Sequence, residues 1–226
     1  MANTKTYNTI KAILDFVESR YFYTKEMALE AFQKHPSAMG AIIGVPDEQV
    51  QEVLDKVGAE DGESLYIANY NGPGQLVVTG GRASVKKACR ILKEMGAKRA
   101  LILPQKGVGH SPNSAEEGII LEKELRKLNF HDATIPIYQD ADGLAHTDAK
   151  EILENQVMLM TYPVQWTKLT FGMRDAGITN FYECGTDDTL TKIVRRMCPE
   201  LSQGSILDVP SYKGRVKNYS IVNQSL

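Results

Sequence analysis

The sequence predicts an α/β protein with a ferredoxin-like β-α-β-β-α-β unit in its first half. Two observations point there. Short apolar runs between Ala41 and Leu103 alternate with helical periodicity as strand, helix, strand, strand, helix, strand, over about 65 residues. Beyond Ser114, helices and short strands alternate again, the pattern of an α/β layer. Such topologies host many unrelated activities, so fold class alone names no function.

Residues 7–34 read as a helical hairpin. Ile10, Ile13, Leu14 and Val17 recur at three- and four-residue spacing, and Thr24 with Met27, Ala28 and Leu29 opens a second helix. Ala41–Val45 is a first strand. Asp47 is the expected N-cap of a helix whose apolar face is Val50, Val53, Leu54 and Val57, with Gly58 as its end. Leu65–Ala68 is the second strand, and Asn69–Gly74 a turn of residues that accept or preset turn dihedrals. Gln75–Gly80 is the third strand. Ser84 is the expected cap of a helix carrying Val85, Ala88, Cys89, Leu92 and Met95, stopped by Gly96; Arg99–Leu103 is the fourth strand.

A loop over 104–113 follows, then a helix from Ser114 to Leu128, a strand at Ile135–Tyr138 and a turn at Asp140–Gly143. Asp148 begins a helix through Met160. Pro163 interrupts, and Trp166, Leu169, Phe171 and Met173 form another helical face closed by Gly177. Asn180–Gly185 reads as a strand running into a turn. Thr189–Met197 is a helix with Lys192, Arg195 and Arg196 towards its C-terminal end, where they suit the macrodipole. Residues 199–226 read as a polar, partly mobile tail.

The chain has 226 residues, 42% hydrophobic and 24% charged, which is enough apolar mass for a folded core. A formal net charge of −2 gives no field that would draw it to nucleic acid or to an anionic membrane. No apolar run approaches the ~18 residues of a membrane span, and the N-terminal stretch lacks the pattern of a signal peptide. Cys89, Cys184 and Cys198 form no CxxC pair, which argues against a zinc site or a disulfide framework and sets a reducing cytoplasm as the expected compartment.

Of the histidines, His35 and His131 sit in polar loops, and His146 in a turn after Gly143-Leu144-Ala145. His110 has a different setting. It follows a strand and the flexible Gly107-Val108-Gly109, and precedes Pro112 and a helix, a common place for a catalytic group in an α/β protein. The segment mimics a G-x-S-x-G nucleophile elbow but fails its chemistry. Asn113 stands in the final glycine position, and Pro112 offers no N–H for the oxyanion hole. Ser111 is therefore a poor candidate nucleophile.

Five segments, in order, carry a family resemblance: IANYNGPGQLVVTGG, AGAKRALILP followed by HSP, IPIYQDADG, YPVQWTKL and FYECGTDDTLTKIVRR. From about Ala38 to Arg196 the chain resembles malonyl-CoA:acyl carrier protein transacylases and the acyltransferase domains of polyketide synthases. The resemblance implies an α/β-hydrolase-like large subdomain with an inserted ferredoxin-like small one. It divides the chain into residues 1–37, an N-terminal helical segment of the large subdomain; 38–104, the ferredoxin-like subdomain; 105–198, the C-terminal half of the large subdomain; and the tail 199–226. It also implies ping-pong acyl transfer, in which an elbow serine takes malonyl from coenzyme A and passes it to a carrier protein's phosphopantetheine thiol, with a histidine as general base. His110 matches that histidine. Asn71 matches an asparagine near the family's active site, and Leu159 stands where the histidine's main-chain carbonyl partner is expected.

The departures concern the nucleophile. Neither the Gly-Gln-Gly-Ser-type oxyanion loop nor the Gly-His-Ser-Leu-Gly elbow occurs in the sequence, so the resemblance implies a chain without the family's first third. The position of the carboxylate-binding arginine falls on Thr24, with Arg20 the nearest arginine. Gly109 replaces the family's phenylalanine, Asn113-Ser114 its bulky pair, and Lys106 a small residue. The expectation is a transacylase-like protein of fatty-acid or polyketide synthesis, a cytoplasmic pseudoenzyme when alone. The alternatives are the general-base half of a split acyltransferase completed by another chain, and a reused fold that binds or scaffolds. No permanently bound cofactor or metal is expected. A coenzyme A thioester is the candidate substrate, and an acyl carrier protein, an elbow-bearing chain or a second copy of this chain are the candidate partners; nucleic acid and membrane are not.

Overall fold

A computed structural model describes residues 37–104, 109–185 and 187–205. The hairpin expected over 7–34, with Arg20 and Thr24, lies outside the described residues, as do Lys106, Gly107 and residues 206–226.

The first half is β1 (Ser37–Ile43), α1 (Asp47–Asp61), β2 (Tyr66–Gly72), β3 (Gln75–Gly81), α2 (Arg82–Glu94) and β4 (Arg99–Ile102). The four strands form one sheet in the order β2-β3-β1-β4, with every neighbouring pair antiparallel. Alternate positions of β1 and β3 turn Ala38, Ile42, Leu76 and Val78 into a core shared with Val50, Leu54 and Val57 of α1 and Val85, Ala88 and Leu92 of α2. Fully burying each large aliphatic chain contributes about 1.5–3 kcal/mol, so this cluster stabilises the half on its own scale.

Several boundaries differ from the sequence expectations, each for a local reason. Asp47 does not cap its own helix: Pro46 is the N-cap, and Asp47 Oδ1 instead accepts from Gly74 N at 3.1 Å, tying the helix start to the β2–β3 turn. Gly58 does not end α1. The helix runs to Asp61, and Gly62, at φ 70°, supplies the left-handed cap that an L side chain resists. Ser84 lies inside α2 rather than capping it, with its hydroxyl donating to Asp61 Oδ2 at 2.7 Å. Asn69–Gly72 is strand, not turn. Two register shifts, at Ile67/Asn69 and Tyr70/Gly72, let these residues stay on β3 despite their poor strand propensity.

The second half runs through a 3₁₀ turn (Pro112–Ser114), α3 (Ala115–Leu125), the two-residue strands β5 (Ile137–Tyr138) and β6 (Ala145–His146), α4 (Ala149–Met158), α5 (Trp166–Asp175), β7 (Asn180–Glu183), α6 (Thr189–Met197) and β8 (Ser202–Ser205). α3 ends at Leu125, three residues short of the expected Leu128. Asp148 is the true N-cap of α4, accepting from Lys150 N and Glu151 N at 2.9 Å each. Ser202–Ser205, assigned to the tail by its polarity, pairs in parallel with β7. Glu183 explains why α6 starts where it does: its buried carboxylate accepts from Leu190 N and from the Thr191 amide and hydroxyl, satisfying first-turn donors from outside the helix. Among the described residues, no helix is long and apolar enough to cross a membrane.

Candidate functional site

Two long-range joints build the site. The first docks the segment after α4 onto β2. Val164 N donates to Ala68 O at 2.8 Å, Tyr70 N donates to Val164 O at 2.9 Å, and Thr167 Oγ1 donates to Tyr70 O at 2.9 Å. β2 is an edge strand of its sheet, so main-chain groups on its outer side have no strand partner and are available. The second joint brings the loop after β4 onto the end of α4. The last carbonyls of a helix have no partner within it. Leu159 O accepts from His110 Nδ1 at 2.7 Å, and Met160 O accepts from Ser111 N at 3.3 Å.

His110 is the one non-glycine residue with positive φ among the described residues, at 57°. That conformation costs a residue with a Cβ about 1 kcal/mol or more, and it persists where surrounding bonds over-determine it. Here the bonds to Leu159 and Met160 do so. A carbonyl can only accept, so Nδ1 carries the ring hydrogen in the neutral imidazole and Nε2 keeps its lone pair. The geometry therefore selects the tautomer that a general base needs.

Between the joints lies a cleft of about 530 Å³, within the range of small-molecule sites. His110, Ser111, Tyr66, Tyr70, Tyr162 and Gln51 are among its lining residues. Among the described residues that line it, none is a lysine or an arginine. Ser111 is 1% exposed, and its Oγ has no hydrogen-bond partner among the described residues. Asn71 is half-buried in β2 and is not among the described lining residues, whereas its neighbour Tyr70 is. Leu159 reaches the site through its main chain.

Sequence reasoning missed Tyr66, Tyr70 and Tyr162 as lining residues, although Tyr70 and Tyr162 lie inside segments that carry the family resemblance. It also missed Asp140. Burial pushes this carboxyl above its ordinary value of 3.8, and the nearby charge of His110 works against that rise. Burial, then the charge of Asp47, pushes the Tyr70 phenol up. Away from the cleft, His146 sits between two carboxylates, with Nε2 2.8 Å from Asp142 Oδ2 and Nδ1 3.0 Å from Glu151 Oε2. No group of three or more His, Cys, Asp or Glu among the described residues is arranged to hold a metal ion.

No family model matches the chain. The malonyl CoA-acyl carrier protein transacylase of Escherichia coli is 33% identical over 182 residues, covering 80% of this chain and 58% of that protein. The Bacillus subtilis protein of the same name is 30% identical over 197 residues, covering 86% and 62%. Over that matched part, the chain is similar to the malonyl-CoA:acyl carrier protein transacylases. Solved transacylases agree in fold. The Xanthomonas oryzae enzyme superimposes with a TM-score of 0.73 at 28% identity, covering 80% of this chain and 57% of that one. An acyl carrier protein S-malonyltransferase from Vibrio cholerae gives 0.72 at 32% identity, covering 79% and 57%. A malonyl-transacylase solved in complex with its type II polyketide acyl-carrier protein gives 0.73 at 27% identity, covering 80% and 58%. The chain thus spans less than two thirds of the length of these transacylases.

Proposed function

We propose that this chain supplies the histidine-bearing part of a malonyl-CoA:acyl carrier protein transacylase site and does not transfer malonyl by itself. The observation that carries this reading is the His110–Leu159 bond at 2.7 Å, which leaves Nε2 as the acceptor on a residue that lines a cleft. On this reading the βαββαβ half is the small subdomain. The elements from the 3₁₀ turn onward are part of the α/β-hydrolase-like large one.

The reaction needs a serine from an elbow-bearing polypeptide, because no Gly-x-Ser-x-Gly segment occurs in the 226 residues. His110 Nε2 takes the serine proton as Oγ bonds to the malonyl thioester carbon. The C–S bond then breaks, and the leaving coenzyme A thiolate takes that proton back. The second half runs in reverse, with the carrier protein's phosphopantetheine thiol attacking the acyl-serine. Without serine and oxyanion donors the covalent path is closed. Hydrolase sites stripped of their triads keep ~10³–10⁴-fold over water, but much of that comes from an oxyanion hole, and the family's oxyanion loop is not in this sequence either.

The test is a transfer assay with malonyl-CoA and a phosphopantetheinylated acyl carrier protein. The chain alone should give no malonyl carrier, and addition of a polypeptide bearing a Gly-His-Ser-x-Gly elbow should restore transfer. Transfer at ordinary enzyme rates by the chain alone would overturn the reading, as would failure of every elbow-bearing polypeptide tried.

A further inference from the structure

His146 is 13% exposed at its side chain and has a carboxylate at each ring nitrogen. An ionised carboxylate has no hydrogen to give, so both contacts form together only when both nitrogens carry hydrogens. The two carboxylates come from different elements. Asp142 lies in the turn between β5 and β6, where its other oxygen accepts from Leu144 N at 2.9 Å; Glu151 lies in the first turn of α4. Asn155 of α4 also approaches, with Nδ2 3.4 Å from His146 Nε2. From α5, the stem of Lys168 packs on the turn at Gly143. The charges that act on His146 are those of Asp142 and Glu151.

Both tied elements lead to the cleft. The turn carries Asp140, whose main-chain oxygen accepts from Gln165 N at 2.7 Å and whose carboxyl feels the charge of His110. α4 ends at Met158, and its C-cap Leu159 is the acceptor for His110. A second bond, from Gln139 Nε2 to Ile152 O at 2.9 Å, joins the same turn to the same helix and does not titrate.

We propose that His146 is a proton-operated latch: as an imidazolium it clamps the β5–β6 turn to α4 through Asp142 and Glu151, and thereby positions Asp140 and Leu159 at His110. His146 touches no reacting atom; it is a positioning residue. The effect on transfer rests on the reading of His110 as general base, while the latch itself does not. The hydrogen bond His146 donates to Glu151 is the largest cause holding it above its ordinary value of 6.5, with Asp142 adding to it and burial opposing it. The latch is therefore closed below that value and opens as pH rises through the raised one.

Ring-nitrogen NMR of the full chain tests this, in wild type, in Glu151→Gln and in the urea-unfolded state. His146 in folded wild type should keep both ring hydrogens to higher pH than in the unfolded chain, and Glu151→Gln should shift the transition down. The amide of Leu144 should exchange faster once the transition is passed. Transfer restored by an elbow-bearing polypeptide should fall on the alkaline side, and fall at lower pH in Glu151→Gln. The same titration in all three samples overturns the latch, and identical pH–rate profiles in wild type and variant overturn its positioning role. A shifted titration with no restored transfer at any pH supports the latch and overturns only the role given to His110.

Discussion

His110 Nδ1 and the main-chain carbonyl of Leu159 meet at 2.7 Å across 49 positions of sequence. The partner is a carbonyl at the end of α4, so the bond is set by where the helix stops and not by which side chain stands at position 159.

That gives a paired expectation. In elbow-complemented transfer, His110→Ala should lower kcat by ~10²–10⁴-fold, the usual contribution of a general base. Leu159→Ala keeps the acceptor and should leave kcat close to wild type. A kcat loss from Leu159→Ala as large as that from His110→Ala would show that the carbonyl is not what orients the ring.

Asp140 should cost stability at neutral pH. Its folded value lies above 3.8 because burial outweighs the opposing charge of His110, so the folded state binds more protons than the unfolded chain as pH rises from that value. The contribution of Asp140 to stability is thus fully present below about 3.8 and is lost as pH rises through the raised value. Asp140→Asn should stabilise the chain in urea unfolding at pH 7, and the gain should vanish in acid. A variant less stable than wild type at pH 7 would contradict this.

Gly58 sits inside α1, where alanine ordinarily gains about 1 kcal/mol over glycine. Here a Cβ would lie 2.6 Å from the main-chain oxygen of Glu63, which cannot swing aside as a side chain could. The clash should win. Gly58→Ala should lower unfolding free energy by about 1–3 kcal/mol, the usual cost of overpacking, as read by denaturant midpoint.

Thiol labelling should separate the three cysteines. Cys184 is exposed, while Cys89 and Cys198 are buried. Burial pushes the Cys89 thiol up to about 11 and raises Cys198 as well. Mass spectrometry after brief maleimide treatment of the folded chain should find the label on Cys184, with Cys89 and Cys198 reacting only after unfolding.

The α/β class was legible because periodicity is a local property: the stripe Val50, Val53, Leu54, Val57 and the alternate pair Leu76 and Val78 each face one core. Boundaries were harder. Gly58 and Ser84 carry the residue types of a stop and a cap, yet the first makes room for Glu63 O just beyond the helix end and the second reaches back to Asp61 of the preceding helix, choices made by packing and not by residue type. β8 was hidden because Ser202–Ser205 has no apolar alternation; pairing with β7 makes it a strand. His110 could be singled out by its place after a strand and by the family segments around it. Tyr66 and Asp140 could not, since nothing local distinguishes a cleft tyrosine or a buried acid from solvated ones.

By itself, then, the sequence determined the alternation of elements, the apolar faces, the family segments and the absence of a serine elbow from these 226 residues. Those depend on residue type and spacing alone. The tertiary structure decided which tautomer His110 holds, that tyrosines of β2 and the α4–α5 connection line one cleft with it, and that His146 bridges two elements through two carboxylates. Each of these depends on distances between groups many residues apart, and such distances exist only once a helix end and a sheet edge have left particular carbonyls and amides free to be paired.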